Sequence, residues 1–239
     1  MNNKIILFLI AIFSYVGFFF YPSSKISSKG FYNLNDKLWA HRVLNLSEID
    51  KLSNEFPGFE LDVFYNKKLN QFDVKYHGNY SELSLDEYFS NCQEFNLKYW
   101  IDFKNLNKNN VIDAVSLLDT LTSKYSIKAD VIIESKKIEL LSKFKKHGFS
   151  ISYWLPDFHI IKSIFQINNT VKNIEKFMPD VISMPHSSVS FYSKKIPNYP
   201  IHCWTNDMIS DRDKDKIKNL LKKENVKVVL TDFKYNFLK

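Results

Sequence analysis

The residues best suited to do chemistry lie in a short apolar stretch near position 60. Glu60 and Asp62 stand two positions apart inside the run Phe59–Tyr65. Side chains two positions apart point to the same face of a β-strand, so both carboxylates are expected on one face. Two like charges on one buried face repel each other unless a positive group, most simply a divalent cation, lies between them. The pair therefore suggests a metal site built from oxygen ligands.

A later strand pattern repeats the two-residue spacing with Asp102 and Lys104. Together with Glu60 and Asp62, Asp102 completes a set of three carboxylates, which suits a hard cation with oxygen ligands. A lysine beside metal-bound carboxylates would be placed to hold a phosphate oxygen. The same residues leave a second interpretation open, in which the carboxylates form salt bridges with Lys104 and Arg42 and bind no metal.

Two histidines, His41 and His77, each end a strand pattern near these carboxylates. Such a pair could transfer protons, with one histidine accepting a proton from an attacking hydroxyl and the other donating to the leaving group. Arg42 follows His41 directly, and it and Arg212 are the only arginines among the 33 lysines and arginines. Because a planar guanidinium binds phosphate through two parallel hydrogen bonds, this position favours a phosphate clamp.

The elements that must position these residues alternate along the chain. Strand patterns lie at 38–43, 59–65, 71–77, 99–104, 130–134, 151–155, 181–184, 201–205 and 226–231, and helical patterns fill most intervals. Within the helical pattern 158–177 the pair Asn168-Asn169 marks a candidate break, and 187–195 is expected to be an irregular connection. About eight strands alternating with helices predict a parallel sheet with helices outside it.

An open doubly wound sheet and a closed (β/α)8 barrel both fit this pattern. No G-x-G-x-x-G or P-loop motif follows a strand, which removes the usual nucleotide-binding reason for an open sheet. Polar residues instead lie at the carboxyl ends of the strands, where a barrel keeps its active site: His41, Asp62, His77, Lys104, Glu134, Thr205 and Asp232. The sequence therefore predicts a single (β/α)8 TIM barrel over residues 37–239.

The chain opens on a hydrophobic segment that is expected to target or anchor the protein. Residues 5–21 form an almost unbroken apolar run, and no A-x-A-like cleavage site follows it. The run is longer than a typical signal-peptide core and at the short end of a spanning helix. We therefore interpret residues 1–21 as a signal anchor that contacts the membrane, with a cleaved signal peptide as the alternative, and 22–36 as a linker. In both cases the barrel is expected to be extracytoplasmic, either membrane-anchored or secreted.

The formal net charge of +7 is compatible with anionic partners such as phospholipid head groups or phosphate esters. Nucleic acid is not expected as a partner, because the charge is spread and the sequence contains no recognised nucleic-acid-binding module. The two cysteines, Cys92 and Cys203, lack metal-ligand spacing. They are expected to be buried free thiols, although the sequence alone leaves a disulfide open.

Taken in chain order, these motifs resemble the landmarks of the glycerophosphodiester phosphodiesterase-like superfamily. The motifs are His41-Arg42, Glu60-Leu-Asp62, His77, Asp102-Phe-Lys104, Trp204-Thr205 and Thr231-Asp232. The superfamily includes bacterial phosphatidylinositol phospholipases C, sphingomyelinase D toxins and menorin-type proteins, and the resemblance implies a (β/α)8 barrel with one divalent cation, Mg or Ca. It also implies residue roles: His41 and His77 as the acid/base pair, Glu60, Asp62 and Asp102 as metal ligands, Arg42 and Lys104 as phosphate binders, and Trp204 lining the substrate site.

Departures from the glycerophosphodiesterase pattern indicate which branch of the superfamily is most similar. Val43 replaces the glycine of the usual His-Arg-Gly, Gly78 replaces an aspartate after the second histidine, and Asp102 replaces a glutamate. The 24 residues between His77 and Asp102 are too few for the insertion domain that glycerophosphodiesterases carry there. These features are closer to the sphingomyelinase D and menorin branches.

The resemblance predicts metal-dependent cleavage of a lipid-, glycerol- or glycan-linked phosphodiester. No serine or cysteine is placed to act as a nucleophile, so attack by water or by a neighbouring substrate hydroxyl is expected. The alternative is a non-catalytic, membrane-anchored barrel that binds a lipid, glycan or protein through the same pocket.

Overall fold

The computed structural model describes residues 34–75, 83–158, 164–206 and 210–232. Its strands are β1 (Leu38–Ala40), β2 (Gly58–Asn66), β3 (Gln71–Val74), β4 (Lys98–Phe103), β5 (Val131–Ser135), β6 (Ser150–Trp154), β7 (Val181–Pro185), β8 (Ile201–Trp204) and β9 (Val226–Thr231). Its α-helices are α1 (Leu46–Ser53), α2 (Leu85–Asn91), α3 (Val111–Lys124), α4 (Ile138–Lys146), α5 (Ile164–Phe177), α6 (Val189–Lys195) and α7 (Asp211–Leu221). Strands and helices alternate almost throughout, as the sequence pattern predicts.

Eight of these strands form a closed parallel barrel. Their order around the barrel is β1, β9, β8, β7, β6, β5, β4 and β2, and a pairing of β1 with β2 at Ala40 and Phe59 closes the ring. All neighbouring pairs within the ring are parallel, so their carboxyl ends meet at one rim. The prediction of a (β/α)8 barrel is confirmed.

Strand β3 lies outside the ring and runs antiparallel to β2. The pairing extends from Val63 with Val74 to Asn66 with Gln71. The intervening residues 67–70 are too few for the crossover of a dozen or more residues that a parallel connection needs, so the chain turns straight back as a hairpin. The last residue of the predicted strand pattern 71–77, His77, lies outside the described residues, as does the rest of 76–82.

Two separate apolar clusters stabilise the barrel. A small cluster fills its interior and is built from Trp39, Trp100, Ile132, Val181, Val228 and Leu230. A much larger cluster lies between the outer faces of the strands and the helices. On β4, for example, Trp100 packs inside the ring while Ile101 packs against the helices, as the period of two in a strand requires. The outer cluster can therefore hold the fold together while part of the interior stays polar.

Two sequence predictions about local structure are wrong. Residues 189–195 are helical, because Val189, Tyr192 and Ile196 follow a helical spacing and all three side chains are buried. Helix α5 also continues without a break through Asn168 and Asn169. Both asparagine side chains are exposed, where they can bond to water, and neither forms a hydrogen bond to the helix backbone within the described residues.

The remaining expectations concern the two cysteines and the membrane segment. Cys92 and Cys203 are buried free thiols, as predicted, and burial raises the pKa of both to about 12. None of the helices in the described ranges is long and apolar enough to cross a bilayer. The expected signal anchor or signal peptide, residues 1–21, and most of the linker lie outside those ranges, so these assignments stay predictions.

Gly58 is required by the indole ring that packs over it. A Cβ atom at Gly58 would lie 2.5–2.7 Å from three ring atoms of Trp39, the first interior side chain of β1. We therefore expect Gly58→Ala to lower the free energy of unfolding by about 1–3 kcal/mol, measured by denaturant titration. In a Trp39→Leu background, which removes the clashing ring, the same substitution should cost much less. An equal cost in both backgrounds would contradict this explanation.

Candidate active site

A pocket opens at the rim where the carboxyl ends of the barrel strands meet. Six of the residues predicted for the site line it: His41, Arg42, Glu60, Asp102, Lys104 and Trp204. Asp62 lies next to them in the carboxylate cluster described below. His77, the eighth predicted residue, lies outside the described part of the chain, so its place in the site stays a prediction.

Three carboxylates converge beside the pocket because of the pairing between β2 and β4. Asp62 and Asp102 are direct partners in the parallel register, and Glu60 lies two residues earlier on the same face of β2. One oxygen from each carboxylate lies within 4.8 Å of the others, and all three residues are at most 5% exposed. The prediction from spacing that Glu60 and Asp62 share a face is confirmed.

Lys104 partly neutralises this cluster. Its ammonium group contacts the Oδ2 atom of Asp102 and lies 2.6 Å from the Oδ1 atom of Asp62. Three carboxylates and one ammonium leave an excess of negative charge when all are ionised. The salt bridges expected from Lys104 in the metal-free interpretation are therefore present, but they do not balance the cluster.

Asp62 provides the test of whether a cation fits. Both of its carboxylate oxygens are buried, and neither forms a hydrogen bond with the described residues, because the contact with Lys104 lacks hydrogen-bond geometry. A buried carboxylate oxygen without a hydrogen-bond partner is costly, and its lone pairs are available to a metal ion. The donor set consists only of carboxylates, which suits Mg²⁺ or Ca²⁺. Glu60, Asp62 and Asp102 therefore fit a hard divalent cation.

The cluster also shifts the pKa values of its members. Burial, reinforced by Asp62 and Asp102, raises the pKa of Glu60 well above its ordinary value. Burial raises the pKa of Asp102 to about 6, even though Lys104 opposes the shift. Burial alone would lower the pKa of Lys104, but the three carboxylates outweigh it and raise that pKa. A cation bound to the cluster would compete with protons near neutral pH.

Arg42 has an unusual backbone conformation that ties it to the carboxylate cluster. Its φ angle is +53°, in the left-handed region that costs a residue with a Cβ atom about 1–2 kcal/mol. In this conformation the backbone N–H of Arg42 donates to Oε2 of Glu60 at 2.9 Å. The next residue, Val43, donates its N–H to the backbone oxygen of Glu60 at 3.1 Å. Both residues that follow His41 therefore donate backbone hydrogen bonds to Glu60.

His41 is held by Asp232, the residue that follows the last strand of the barrel. Its Nδ1 atom lies 2.9 Å from Oδ1 of Asp232, and its Nε2 atom lies 3.7 Å from Oε2 of Glu60. Burial lowers the pKa of His41, an effect that the hydrogen bond to Asp232 and the charge of that carboxylate only partly offset. Because an ionised carboxylate can only accept, Nδ1 carries the proton and Nε2 keeps a free lone pair beside the carboxylates. A histidine in this arrangement can accept a proton at Nε2.

Asp232 belongs to the site, although no role was predicted for it. Strands β1 and β9 are paired with Ala40 opposite Thr231, so the residues after them, His41 and Asp232, meet at the rim. The sequence signal is the position of Asp232 directly after the last strand. Recognising its role requires knowing that the first and last strands are neighbours, which only closure of the barrel decides.

Glu134 is a fourth buried carboxylate that the sequence reasoning placed at a strand end without assigning it to the site. It lines the pocket, and on β5 it is the register partner of Asp102. Ser152 donates a hydrogen bond of 3.4 Å to it. Burial, followed by the charge of Asp102, raises its pKa well above the ordinary value. Asp62, Asp102 and Glu134 thus form a row across three neighbouring strands.

Tryptophans form another wall of the pocket. The rings of Trp154 and Trp204 meet edge to face, with centroids 5.2 Å apart and an interplanar angle of 77°. The ammonium group of Lys136 lies 3.9 Å from the centroid of the Trp154 ring, which is a cation–π contact. Trp204 lines the pocket, and its predicted role toward a substrate stays a prediction; Trp154 had not been predicted there.

Comparisons with known proteins give a likeness in fold. Neither a protein-family model nor a curated protein sequence matches the chain. A glycerophosphodiester phosphodiesterase from Parabacteroides distasonis is similar in structure, with a TM-score of 0.63 and 14% identity over 83% of this chain and 93% of that one. A candidate glycerophosphodiester phosphodiesterase from Galdieria sulphuraria has a TM-score of 0.62 and 16% identity over 84% of this chain and 96% of its own.

A third similar structure contains a bound product. It is a phosphodiesterase from Oleispira antarctica in complex with sn-glycerol-3-phosphate, with a TM-score of 0.61 and 12% identity over 82% of this chain and 93% of that one. At these identities the likeness shows that the chain has the barrel fold of these enzymes. Its chemistry has to be argued from its own residues.

The raised pKa of Asp102 gives cation binding a definite pH dependence. Because the carboxylates must lose protons to bind a cation, Mg²⁺ or Ca²⁺ should raise the melting temperature more at about pH 8 than at about pH 5. In metal-free protein the sign is reversed: Asp102 favours the fold below its unfolded pKa, and this contribution is lost as the pH rises through about 6. Differential scanning fluorimetry at both pH values, with and without cation, measures both effects.

A matched pair of variants tests where the cation binds. Asp102→Asn should remove most of the cation-dependent stabilisation. Asp119→Asn removes a carboxylate of similar chemistry from the partly exposed pair with Lys128, and it should leave the stabilisation unchanged. If both variants respond to the cation like the parent, the carboxylate cluster is not the binding site.

Proposed function

We propose that the chain cleaves phosphodiesters at this pocket, with one divalent cation held by Glu60, Asp62 and Asp102. The observation that carries the proposal is the contact between His41 and Asp232 beside the carboxylate cluster. It gives a buried, neutral histidine with a free Nε2 atom 3.7 Å from Glu60. A base, oxygen ligands for a cation and two basic side chains then surround one pocket. This combination suits attack on a phosphorus centre.

In hydrolysis, His41 Nε2 would accept the proton of the attacking water as its oxygen bonds to phosphorus. Asp232, which accepts from Nδ1–H, would stabilise the resulting imidazolium. Arg42 and Lys104 would hold the phosphoryl oxygens and oppose the negative charge that grows on them. A cation bound by the carboxylates would supply Lewis-acid stabilisation of the same charge.

The breaking P–O bond releases an alkoxide that needs a proton. The resemblance assigns this role to His77, and we keep that assignment as part of the proposal. If the substrate itself offers a neighbouring hydroxyl, the same base would activate it in place of water, and a cyclic phosphate would form. Either route breaks one ester bond and needs no covalent bond to the protein.

The substrate we propose is a phosphodiester linked to glycerol, lipid or a surface glycan. The similar phosphodiesterase from Oleispira antarctica, in complex with sn-glycerol-3-phosphate, supports the glycerol-linked class. The hydrophobic residues 5–21 support a location at the membrane, with the barrel outside the cytoplasm, anchored or secreted. The substrate class and the location are thus parts of the proposal that do not rest on the chemistry of the pocket.

Replacement of His41 tests the proposed base. His41→Ala should lower turnover of bis(p-nitrophenyl) phosphate by about 100-fold or more, because proton transfer of this kind contributes 10²–10⁴-fold. The control is His147→Ala, which changes an exposed histidine directly after α4 and should leave turnover unchanged. Denaturant unfolding of both variants shows whether the fold is kept. Turnover by a folded His41→Ala protein at the parent rate would show that His41 is not the base.

Asp232→Asn separates the positioning role from the base itself. The amide carries no negative charge and cannot stabilise the imidazolium that forms when His41 accepts a proton. We therefore expect kcat to fall while KM changes little. The pH at which kcat rises to half its maximum should also move to a lower value, because the hydrogen bond and charge of Asp232 raise the pKa of His41.

The alternative function is a non-catalytic barrel. It would be favoured if the parent protein binds the cation tightly but turns over no phosphodiester.

A further inference from the structure

Exposed apolar side chains gather at the rim of the barrel that carries the pocket. The large hydrophobic residues that are exposed within the described ranges are Leu69, Ile112, Ile164, Phe165 and Met178, each 61–73% accessible to solvent. Leu69 lies in the β2–β3 turn, Ile112 is the second residue of α3, and Ile164 and Phe165 begin α5. In this fold, helices that follow a strand begin at the rim where the strands end. Only Met178, just after α5, lies at the opposite end.

The four residues at this rim, Leu69, Ile112, Ile164 and Phe165, occupy one continuous arc of it. They follow β2, β4 and β6, and β2, β4, β5 and β6 are consecutive neighbours in the barrel. The hairpin is fixed to the β4–α3 loop because Tyr65 and Asn105 exchange two hydrogen bonds, of 2.9 and 3.0 Å. The β5–α4 loop is fixed to β6 by Lys136, which packs on Trp154. Trp154 also lines the pocket, so the arc borders the site.

The hairpin projects beyond the barrel. Pairing of β2 with β4 ends at Val63 opposite Phe103, while β2 continues to Asn66 with β3 as its partner. Residues 67–70, at the tip, are all exposed. Leu69 is therefore held out from the rim on the side toward which the pocket opens.

The same arc is basic. Exposed lysines lie in three of its four connecting segments, and these three contain no carboxylate: Lys67 and Lys68 at the hairpin tip, Lys108 before α3, and Lys136 and Lys137 before α4. Two exposed carboxylates, Asp113 and Glu139, follow in the first turns of α3 and α4, and the partly buried Asp157 lies in the segment after β6. Positive charge thus exceeds negative charge along the arc. Exposed apolar side chains interspersed with lysines match a surface that is apolar inside and anionic outside, such as a bilayer with acidic head groups.

We propose that this arc docks the pocket face-on to an anionic phospholipid bilayer, and that the phosphodiester it cleaves is carried by a lipid. The substrate part rests on the proposed function; the docking part does not. Phe165, Ile164 and Leu69 enter the head-group region, and Lys67 and Lys68 pair with anionic head groups. The pocket then faces the bilayer surface, where a lipid head group can enter it without the lipid leaving the membrane.

Labelling of single cysteines tests the docking. Because Cys92 and Cys203 are buried, an introduced surface cysteine can carry an environment-sensitive nitrobenzoxadiazole probe. The probe is placed at Leu69→Cys, Phe165→Cys and, as the matched control, Met178→Cys at the opposite end of the barrel. The full chain is reconstituted in vesicles of phosphatidylcholine, with or without phosphatidylglycerol, so that residues 1–33 are present in every sample.

In vesicles that contain phosphatidylglycerol, probes at 69 and 165 should shift to shorter wavelength and be quenched by spin-labelled lipid, whereas the probe at 178 should not. Lys67→Glu with Lys68→Glu should weaken this response by about fivefold for each lysine. Equal signals at all three positions would overturn the docking. A response in phosphatidylcholine alone that is as strong as with phosphatidylglycerol would overturn the assignment to an anionic surface.

Turnover tests the lipid-borne substrate separately. Leu69→Ser and Phe165→Ser should slow cleavage of a vesicle-borne phosphodiester severalfold and leave cleavage of soluble bis(p-nitrophenyl) phosphate unchanged, while Met178→Ser should alter neither. Equal effects on both substrates would overturn the lipid assignment. If the parent cleaves neither substrate, the proposed function fails, and the labelling experiment still decides whether the arc docks.

Discussion

The site depends on holding three carboxylates side by side inside a protein, with one lysine among them. Glu60, Asp62 and Asp102 would repel one another in a flexible chain, and they stay together because the parallel register of β2 and β4 leaves them no alternative. The strands can impose this because their outer faces bury a large apolar cluster against the helices. Free energy from hydrophobic packing on one side of the sheet thus offsets electrostatic cost on the other.

This constraint explains the conformation of the residues around it. Arg42 takes a left-handed backbone angle, and in return its N–H group satisfies an oxygen of Glu60. The same turn brings His41 between Glu60 and Asp232, so a neutral imidazole lies beside the carboxylates rather than an imidazolium that would neutralise them. The left-handed backbone of Arg42 and the order of the strands together place a histidine with a defined hydrogen-bond partner beside the charged cluster.

The barrel also separates two tasks along its axis. Its closed end is packed with Trp39, Trp100 and aliphatic side chains, while its open end combines carboxylates, a histidine and tryptophans. The β2–β3 hairpin, which adds a ninth strand outside the ring, extends only the open end. Residues at the open end, including those of the pocket and its rim, can therefore be changed while the packing of the closed end stays intact.

Local pattern was sufficient for the order of elements, the barrel class and most of the site. Short apolar runs bounded by polar and turn residues located every barrel strand to within three residues at each end. The spacing of Glu60 and Asp62 placed both on one face, because the period of a strand is a property of the backbone. Helix α6 escaped prediction because its apolar face is short, at Val189, Tyr192 and Ile196. The antiparallel direction of β3 was missed too, although the length of its turn implies it.

The tertiary structure decided which side chains at the strand ends contact one another. No sequence spacing links His41 to Asp232, which are 191 residues apart, and their hydrogen bond exists because the first and last strands close the ring. Glu134 likewise joins the site only through the register of β5 with β4. The types of residue that could do chemistry are written in the sequence; which of them share one pocket, and with which protons, follows from closure of the barrel and from burial.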